Sequence, residues 1–259
     1  MLIAERRRRI LDHVQVRGYA SFRDLADEVG ISESTVRRDL RAMVAEGLLG
    51  ATRGGAVQVD HAVPDHARGG LPADPVAAER AAIAARAAEL VEPASAILLG
   101  PGRTTLQLAR CLADVEPLTV ITNSVPVTTA LLDVEHVDLV MVGGTLGRSI
   151  GALVGPMTEQ SLKGLRGAQV FLSGDGVTVD RGLTTPNVFA AATDMALVAA
   201  ARQVIVLADH TKLGRETMCQ TVPTERIDVL ITDSAADPAA VRALRDAGVD
   251  VLVADSRSS

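Results

Sequence analysis

A short segment near the N-terminus combines arginines with hydroxyl side chains at helical spacing. On a helical wheel, Ser34, Arg38 and Arg41 lie opposite an apolar stripe, and Thr35 and Arg37 lie on its flanks. Arginine suits bidentate contact with guanine, and hydroxyls contact phosphates or base edges. The segment therefore predicts a surface that reads the major groove of double-stranded DNA. A charged face that is merely solvated is the alternative, because most charge clusters serve solubility.

Helix signals around this segment predict the elements that would position it. We expect three helices, at about 3–16, 22–29 and 32–46. Ser21 has the spacing of a capping box with Asp24 at the start of the second helix, and Gly30 ends that helix. Two short helices joined by a glycine-containing turn are typical of a helix-turn-helix. We expect Glu33 and Asp39 near the buried edge of the third helix, which leaves its outer face free of acids.

A glycine-rich loop in the longer C-terminal part could hold a phosphate. The loop runs Gly100-Pro101-Gly102-Arg103-Thr104-Thr105 and leads from a strand-like apolar run into a helix. Free backbone N–H groups at the start of a helix, two hydroxyls and a cation are groups that bind phosphate. Because glycine-rich turns between strands and helices are common, a simple tight turn is an equally open interpretation.

Further polar loops follow other predicted strands and support a ligand site. They include Thr122-Asn123-Ser124, Gly143-Gly144, Ser173-Gly174-Asp175-Gly176 and Ala208-Asp209-His210-Thr211-Lys212. Lys212 is informative because the chain has only two lysines against twenty-four arginines. In so arginine-rich a sequence, a lysine beyond the end of a strand indicates that a compact ammonium is needed. The alternative is an ordinary solvated lysine on the surface.

Strand-like runs alternate with alanine-rich helices throughout this part of the chain. The runs are 96–99, 118–122, 137–142, 169–172, 204–208, 229–232 and 249–253, and helices are expected at 76–91, 104–113, 125–132, 186–202 and 237–247. This alternation predicts an α/β domain with a mostly parallel sheet that is covered on both faces. In such sheets, ligands bind beyond the carboxyl ends of the strands, where the polar loops lie.

Charge and composition divide the chain in two. Residues 1–58 hold ten arginines and eight acids, a balance of +2, and the remainder holds sixteen basic and twenty-four acidic residues, a balance of −8, for a net charge of −6. We predict a DNA-binding domain at 1–58 with its helix-turn-helix at about 20–39, a proline- and glycine-rich linker at 59–75, and an α/β effector-sensing domain at 76–255.

Other bulk features narrow the class of protein. No apolar run reaches the length that crosses a bilayer, and the arginine-rich start does not resemble a signal peptide. Cys111 and Cys219 lie far apart without metal-ligand spacing, so we expect reduced thiols in a cytoplasmic protein. We expect neither a cofactor nor a metal ion.

The N-terminal segment carries two motifs of a known family. Ser32 to Leu40 match the pattern Ser-x-x-Thr-(Ile/Val)-Arg-Arg-Asp-Leu, and Gly54-Gly55-Ala56 match the end of a hairpin that follows it. In these motifs the segment resembles the N-terminal domain of the DeoR family of repressors, which implies a winged helix-turn-helix. Ala51 and Arg53 stand where the family usually has Arg and His. The resemblance thus adds Arg53 to the expected DNA-binding residues. Because of the two departures, we expect the wing either to contact the DNA backbone more weakly than in the family or to contact it through Arg53.

The remainder resembles the C-terminal domain of the same family in the stretches TTLQLA, TNS, VGG, LVGP, DGV, GLTTPN, LADHTKLG and LITD. The resemblance extends from about Arg6 to Val253. It implies a fold shared with ribose-5-phosphate isomerase and the CoA-transferases, and a phosphorylated sugar or related metabolite as effector. The implied phosphate ligands are Gly102, Thr104 and Thr105, with Arg103 as an added cation, and the implied contacts to the rest of the effector or to its phosphate are Asn123, Asp175 and Lys212.

Two departures from the family pattern bear on function. The family usually reads Asp-Ser-Gly-Thr-Thr where this chain has Gly100 to Thr104, so an acid is lost and Arg103 is gained. Arg103 either strengthens phosphate binding or points outward. The family commonly carries Glu shortly after the Thr-Pro-Asn motif, and the related isomerases use a carboxylate there as a base. This chain has Ala190, so proton abstraction lacks its base.

We therefore expect a DNA-binding transcriptional regulator without catalytic activity, a repressor of a sugar or carbohydrate operon controlled by a phosphorylated sugar. One alternative is a sugar-phosphate isomerase or transferase fused to a DNA-binding domain. Another is a helix-turn-helix that binds protein. A symmetric operator would call for a homo-oligomer, either a dimer or a tetramer. The sequence leaves open the effector, the operon and the sign of regulation.

Overall fold

A computed structural model describes residues 3–17, 19–45, 49–51, 55–58, 74–115 and 117–255. The chain divides into two compact units, Met1–His61 and Ala62–Ser259. The predicted domain boundaries stay predictions, because 59–73 of the predicted linker lies outside the described residues. None of the helices in the described ranges is long and apolar enough to cross a membrane.

The N-terminal unit contains three helices and three short strands. In chain order they are α1 (Ile3–Arg17), β1 (Tyr19–Ser21), α2 (Phe22–Val29), α3 (Glu33–Ala45), β2 (Leu49–Ala51) and β3 (Gly55–Gln58). The strands form an antiparallel sheet in the order β1-β3-β2. β2 and β3 pair as a hairpin directly after α3, which confirms the winged helix-turn-helix.

Local sequence signals explain where α2 begins and ends. The Ser21 hydroxyl accepts the backbone N–H of Asp24 at 3.1 Å, and the Asp24 carboxylate accepts the N–H of Ser21 at 3.2 Å. This reciprocal pair is the predicted capping box. Gly30 ends the helix with a φ of 72°, a left-handed conformation that glycine adopts without steric cost. Both ends of the helix that precedes α3 are thus specified locally.

The C-terminal unit contains the larger α/β domain. Its elements in chain order are α4 (Ala77–Ala88), β4 (Ala96–Leu99), α5 (Arg103–Cys111), β5 (Leu118–Thr122), α6 (Val125–Leu131), β6 (Val137–Met141), β7 (Thr145–Gly147), β8 (Ala152–Val154), α7 (Pro156–Leu162), β9 (Gly167–Leu172), β10 (Gly176–Thr178), β11 (Gly182–Thr185), α8 (Val188–Ala199), β12 (Ala201–Leu207), β13 (Cys219–Val222), β14 (Val229–Asp233), α9 (Pro238–Asp246) and β15 (Asp250–Ala254). Two single 3-10 turns follow α5 and β13.

Seven of these strands form one sheet in the order β15-β14-β12-β9-β4-β5-β6. Every neighbouring pair in it is parallel, which confirms the predicted sheet. The sequence prediction missed α7, the β7–β8 hairpin and the antiparallel sheet β10-β11-β13. Their strands are only three or four residues long, too short to show a clear alternation of apolar and polar residues.

Both faces of the large sheet are buried. Along β4, Leu98 packs into one apolar cluster, and Ile97 and Leu99 pack into the cluster on the opposite face, as the alternation of side chains along a strand requires. After β4 the chain continues outward through β5 and β6, then returns to place β9 on the other side of β4. The carboxyl ends of β4 and β9 therefore form the switch point at which open α/β sheets bind ligands.

Candidate functional site

Helix α3 presents the predicted arginine and hydroxyl surface. Ser34, Arg38 and Arg41 are exposed, whereas Val36 and Leu40 are buried in the core of the unit. Thr35 is half-buried at the flank. The apolar stripe thus anchors the helix, and the arginines project from its opposite side. This is the arrangement that a recognition helix needs to enter a major groove.

Arg37 is held within the domain more firmly than Arg38 or Arg41. Its guanidinium lies 3.2 Å from the Glu33 carboxylate and 4.1 Å above the centre of the Phe22 ring. The expectation that Glu33 lies near the buried edge is wrong, because this pair keeps its side chain on the exposed flank. Asp39 is buried and pairs with Arg6 of α1, as expected for the inner edge.

A cluster of hydroxyls surrounds the start of α3. The Ser32 hydroxyl lies 2.9 Å from the hydroxyls of both Ser34 and Thr35. Hydroxyls and free N–H groups at a helix start are groups that contact DNA phosphates. Arg53, the remaining predicted DNA-binding residue, lies outside the described residues. All six assignments stay predictions.

The predicted phosphate loop joins β4 to α5. Gly102 precedes the helix with a φ of 151°, and a Cβ there would lie 3.1 Å from the Cβ of Ser173 in the loop after β9. Glycine thus allows the two loops to approach closely. The Thr105 hydroxyl donates to the Gly102 carbonyl at 3.0 Å. The Thr104 hydroxyl is buried and has no hydrogen-bond partner among the described residues.

Asn123 lies at the carboxyl end of β5, next to β4 in the sheet. Its side chain is buried, and its amide nitrogen donates to the Leu153 carbonyl at 2.9 Å. The side-chain oxygen of Asn123, like the Thr104 hydroxyl, has no partner in the described part of the chain. Buried polar atoms are nearly always paired. Each of these two atoms is thus open to a hydrogen bond from water or from a polar ligand.

Lys212 is buried, with 8% of its surface exposed, so the interpretation as a solvated surface lysine is wrong. Its ammonium donates to the carbonyl of Gly174 in the loop after β9. Lys212 itself follows β12, and its own carbonyl accepts the N–H of Val177 at 2.9 Å. It thus connects the loops of two neighbouring strands.

A buried charge network lies beside Lys212. Asp209 is fully buried, and Arg80 of α4 donates to it at 3.1 Å and also pairs with Asp74. Although burial opposes its ionisation, Lys212, the Thr211 hydroxyl and Arg80 together lower the pKa of Asp209. Sequence reasoning missed Arg80. An arginine on the buried face of the alanine-rich helix α4 was a signal that could have identified it.

The same network shows where Arg103 points. Its guanidinium lies 3.6 Å from the Asp74 carboxylate, and its side chain is 31% exposed. Arg103 therefore faces an acidic group at the edge of the loops instead of projecting freely into solvent. Asp74 holds Arg80 and Arg103 together, which concentrates two guanidinium groups beside the start of α5.

We expect Arg80→Met to lower the free energy of unfolding of the α/β domain by about 3 kcal/mol, because removing one partner leaves the buried Asp209 carboxylate less compensated. Chemical denaturation measures this loss. Arg86→Met on the same helix removes only an exposed pair with Glu89 and should change stability by less than about 0.5 kcal/mol. Equal stability of the two variants would contradict a structural role for the network.

Two further acids are Asp175, in the loop after β9, and Asp194, which is buried on α8. The Thr185 hydroxyl donates to Asp175 at 3.1 Å. Burial, followed by the like charge of Asp175, raises the pKa of Asp194 to about 8. Sequence reasoning missed Asp194, although it is the only charged residue within the α8 sequence VFAAATDMALVA.

The loops after β4, β9 and β12 thus converge on one edge of the sheet, with Asn123 following β5 beside them. The structure brings the predicted residues 102–105, Asp175 and Lys212 into this edge through the Gly102–Ser173 and Lys212–Gly174 contacts. Within the described ranges, no group of three His, Cys, Asp or Glu side chains could hold a metal ion. The edge offers hydroxyls, an amide and cations, which suit a polar anionic ligand.

Comparison with known families agrees with this two-part arrangement. Residues 6–62 match the DeoR-like helix-turn-helix domain, and residues 76–234 match the DeoR C terminal sensor domain. The chain belongs to the DeoR family of transcriptional regulators. It is 35% identical to the HTH-type transcriptional regulator GlpR of Haloferax volcanii, over 97% of this chain and 98% of that protein. It is 33% identical to the lactose phosphotransferase system repressor of Lactococcus lactis subsp. lactis, over 89% and 91%.

Solved structures match the fold only distantly. Ribose 5-phosphate isomerase A from Methanocaldococcus jannaschii is 18% identical with a TM-score of 0.39, over 51% of this chain and 52% of that chain. The eIF2B beta structure from Chaetomium thermophilum is 15% identical with a TM-score of 0.41, over 87% and 65%. Similarities this low carry no conclusion about activity.

Proposed function

We propose that this protein represses a carbohydrate operon by binding operator DNA through α3, and that a phosphorylated sugar bound at the carboxyl edge of the parallel sheet changes its affinity for DNA. The observation that carries the effector site is Lys212, an ammonium buried between the loops of β9 and β12. A buried cation at the same edge of the sheet as unpaired polar atoms suits a phosphorylated ligand. DNA as the partner implies a cytoplasmic protein.

The proposed DNA contacts come from the exposed side of α3. Arg38 and Arg41 project from it, and Ser34 and Thr35 lie near its first turn, where recognition helices meet base edges. Arg37 would act at the flank, since Glu33 and Phe22 already hold it. Arg53 would contact the backbone from the wing. Because DNA affinity of this kind depends on counterion release, it should fall steeply with added salt.

The proposed effector site combines three elements. Gly102, Thr104 and Thr105 would hold the phosphate at the start of α5, where backbone N–H groups and the helix dipole favour an anion. Arg103 and Lys212 would add positive charge. The side chains of Asn123 and Asp175 would bind the sugar hydroxyls. Repression and sugar control are supported by the relatives, one of which is a lactose phosphotransferase system repressor.

The test uses the full-length protein and duplexes selected from a random DNA library by binding. We expect one symmetric sequence to be enriched, with a homo-oligomer bound to it. A panel of phosphorylated sugars is then screened for a rise in unfolding temperature and for a change in affinity for that duplex. Failure to enrich any duplex would refute DNA reading. Enrichment without a response to any phosphorylated sugar would refute only the effector proposal.

We further propose that the protein is not an enzyme. Ala190, three residues after Asn187 of the Thr-Pro-Asn motif, is buried and offers no base for an aldose–ketose isomerisation. We expect no turnover of pentose or hexose phosphates, and Ala190→Glu alone should not create a fast enzyme. Coupled assays measure this, and wild-type turnover near the enzyme median of about 10 per second would contradict the proposal.

A further inference from the structure

Helix α8 is apolar on its outer side as well as on its inner side. Its two polar residues, Thr193 and Asp194, are buried on the inner side. A helix on the surface of a globular domain ordinarily carries polar residues outward, and a helix that is apolar all round is buried. The outer side, named here the α8 face, consists of exposed or half-buried apolar residues, namely Val188, Phe189, Ala192, Met195, Ala196 and Ala199.

The large side chains of the α8 face are more than half exposed. Phe189, Val188 and Met195 are 68%, 57% and 56% exposed. Two further exposed methionines adjoin the helix, since Met157 belongs to α7, Met218 directly precedes β13, and both of these elements pack against α8. Single exposed apolar residues are common, but a group of them on neighbouring elements marks an interaction surface. The α8 face therefore has the composition of a covered surface.

Charge indicates that the cover is a second copy of this chain. Residues 59–259 carry a net charge of −8, so two copies of this part of the chain repel each other unless they meet through a surface without charge. In a two-fold contact, residues near the axis face their own copies, and any charge there would meet a like charge. The α8 face carries no charged residue. A basic or acidic partner would instead be recognised through charged groups on this face.

The spacing of residues along α8 suits a two-fold contact between antiparallel helices. Ala192 is small, and two helices approach most closely where the side chains between them are small. Phe189 and Met195 lie three residues before and three residues after Ala192. When two copies of α8 cross antiparallel at Ala192, Phe189 of each copy lies against Met195 of the partner subunit. Contacts between a methionine sulfur and an aromatic ring are favourable.

The exposed area is close to what a stable dimer needs. The five large side chains on and beside α8 are each more than half exposed, and together they offer roughly 500–700 Å² of apolar surface per copy. The alanines between them add to this area. A standard protein–protein interface buries about 800 Å² per partner.

We propose that the α8 face is the interface of a two-fold symmetric homodimer, in which two copies of α8 cross antiparallel near Ala192. The dimer carries two copies of α3, as a symmetric operator requires. The inference specifies the homo-oligomer of the proposed function. Because assembly is measured without DNA or effector, its failure is distinguishable from a failure of DNA reading or of sugar-phosphate sensing.

The first experiment measures assembly of the full-length protein by sedimentation at several concentrations. We expect the wild type to be a dimer, or a tetramer built from such dimers, at micromolar concentration. Phe189→Glu and Met195→Glu each place two like charges in the contact and should raise the dissociation constant of this interface at least about thirtyfold. Leu132→Glu is the matched control, because Leu132 at the end of α6 is 67% exposed. It should assemble as the wild type does.

The second experiment tests the antiparallel contact by disulfide formation. Ala192→Cys places two thiols at the two-fold axis, where mild oxidation should join the two chains. The exposed Ala239→Cys on α9 is the control, and the wild type gives the background from Cys111 and Cys219. A monomeric wild type would overturn the inference, as would assembly of both glutamate variants like the wild type. Cross-linking of Ala192→Cys no better than that of Ala239→Cys would also overturn it.

Discussion

Arg38→Ala is expected to weaken specific operator binding strongly while the fold stays intact. Arg38 is exposed on α3, opposite the buried Val36 and Leu40, and makes no ion pair with any described residue. Its guanidinium is thus available for a base edge. Losing such a contact typically costs about 1–3 kcal/mol of discrimination, or about 5- to 150-fold in affinity ratio. Gel-shift titration with specific and scrambled duplexes measures the change.

Arg242→Ala is the matched control for this prediction. Arg242 is an exposed arginine of α9, so the control removes the same charge from the other domain. It should keep the preference for the specific duplex. If Arg38→Ala keeps the affinity and the sequence preference of the wild type, Arg38 does not belong to the reading surface. Equal thermal unfolding of the two variants would show that the loss is not one of folding.

Lys212→Met is expected to weaken effector binding by at least about tenfold and to leave operator affinity without effector nearly unchanged. A hydrogen bond to a charged group contributes about 1.5–3 kcal/mol, and the buried ammonium has little water to replace it. Lys212 also contacts the loop after β9. For an effector to alter DNA affinity, it must bind two states of the sensor unequally. An effector that draws the loops after β9 and β12 together would favour one of these states over the other.

The measurement is calorimetric titration with the best ligand from the sugar-phosphate screen, alongside DNA binding with and without that ligand. Lys163→Met is the natural control, since Lys163 is the other lysine of the chain and is exposed. It should bind the ligand as the wild type does. If Lys212→Met also binds and responds normally, the effector site lies elsewhere. Equal thermal unfolding of Lys212→Met and Lys163→Met would show that a loss of ligand binding is not a loss of folding.

Features with local causes could be predicted from the sequence. The capping box of Ser21 and Asp24 and the left-handed Gly30 depend on residues within one or two turns of each other, so spacing alone reveals them. The apolar stripe of α3 likewise determines which side carries Arg38. The seven buried strands appear as apolar runs, because both faces of a parallel sheet are covered. The family motifs added the wing and the sugar-phosphate effector expected for the α/β domain.

Features that depend on distant contacts were decided by the tertiary structure. Arg80 and Asp209 are 129 residues apart, and no spacing rule relates a helix residue to a loop after another strand. The burial of Lys212 follows from the loop that folds over it after β9. The charge state of Asp194 depends on burial and on Asp175, nineteen residues earlier in the chain. Burial and nearby charges shift a pKa according to distances in space. The charge states of the site therefore depend on which elements the fold brings together, and not on their order in the chain.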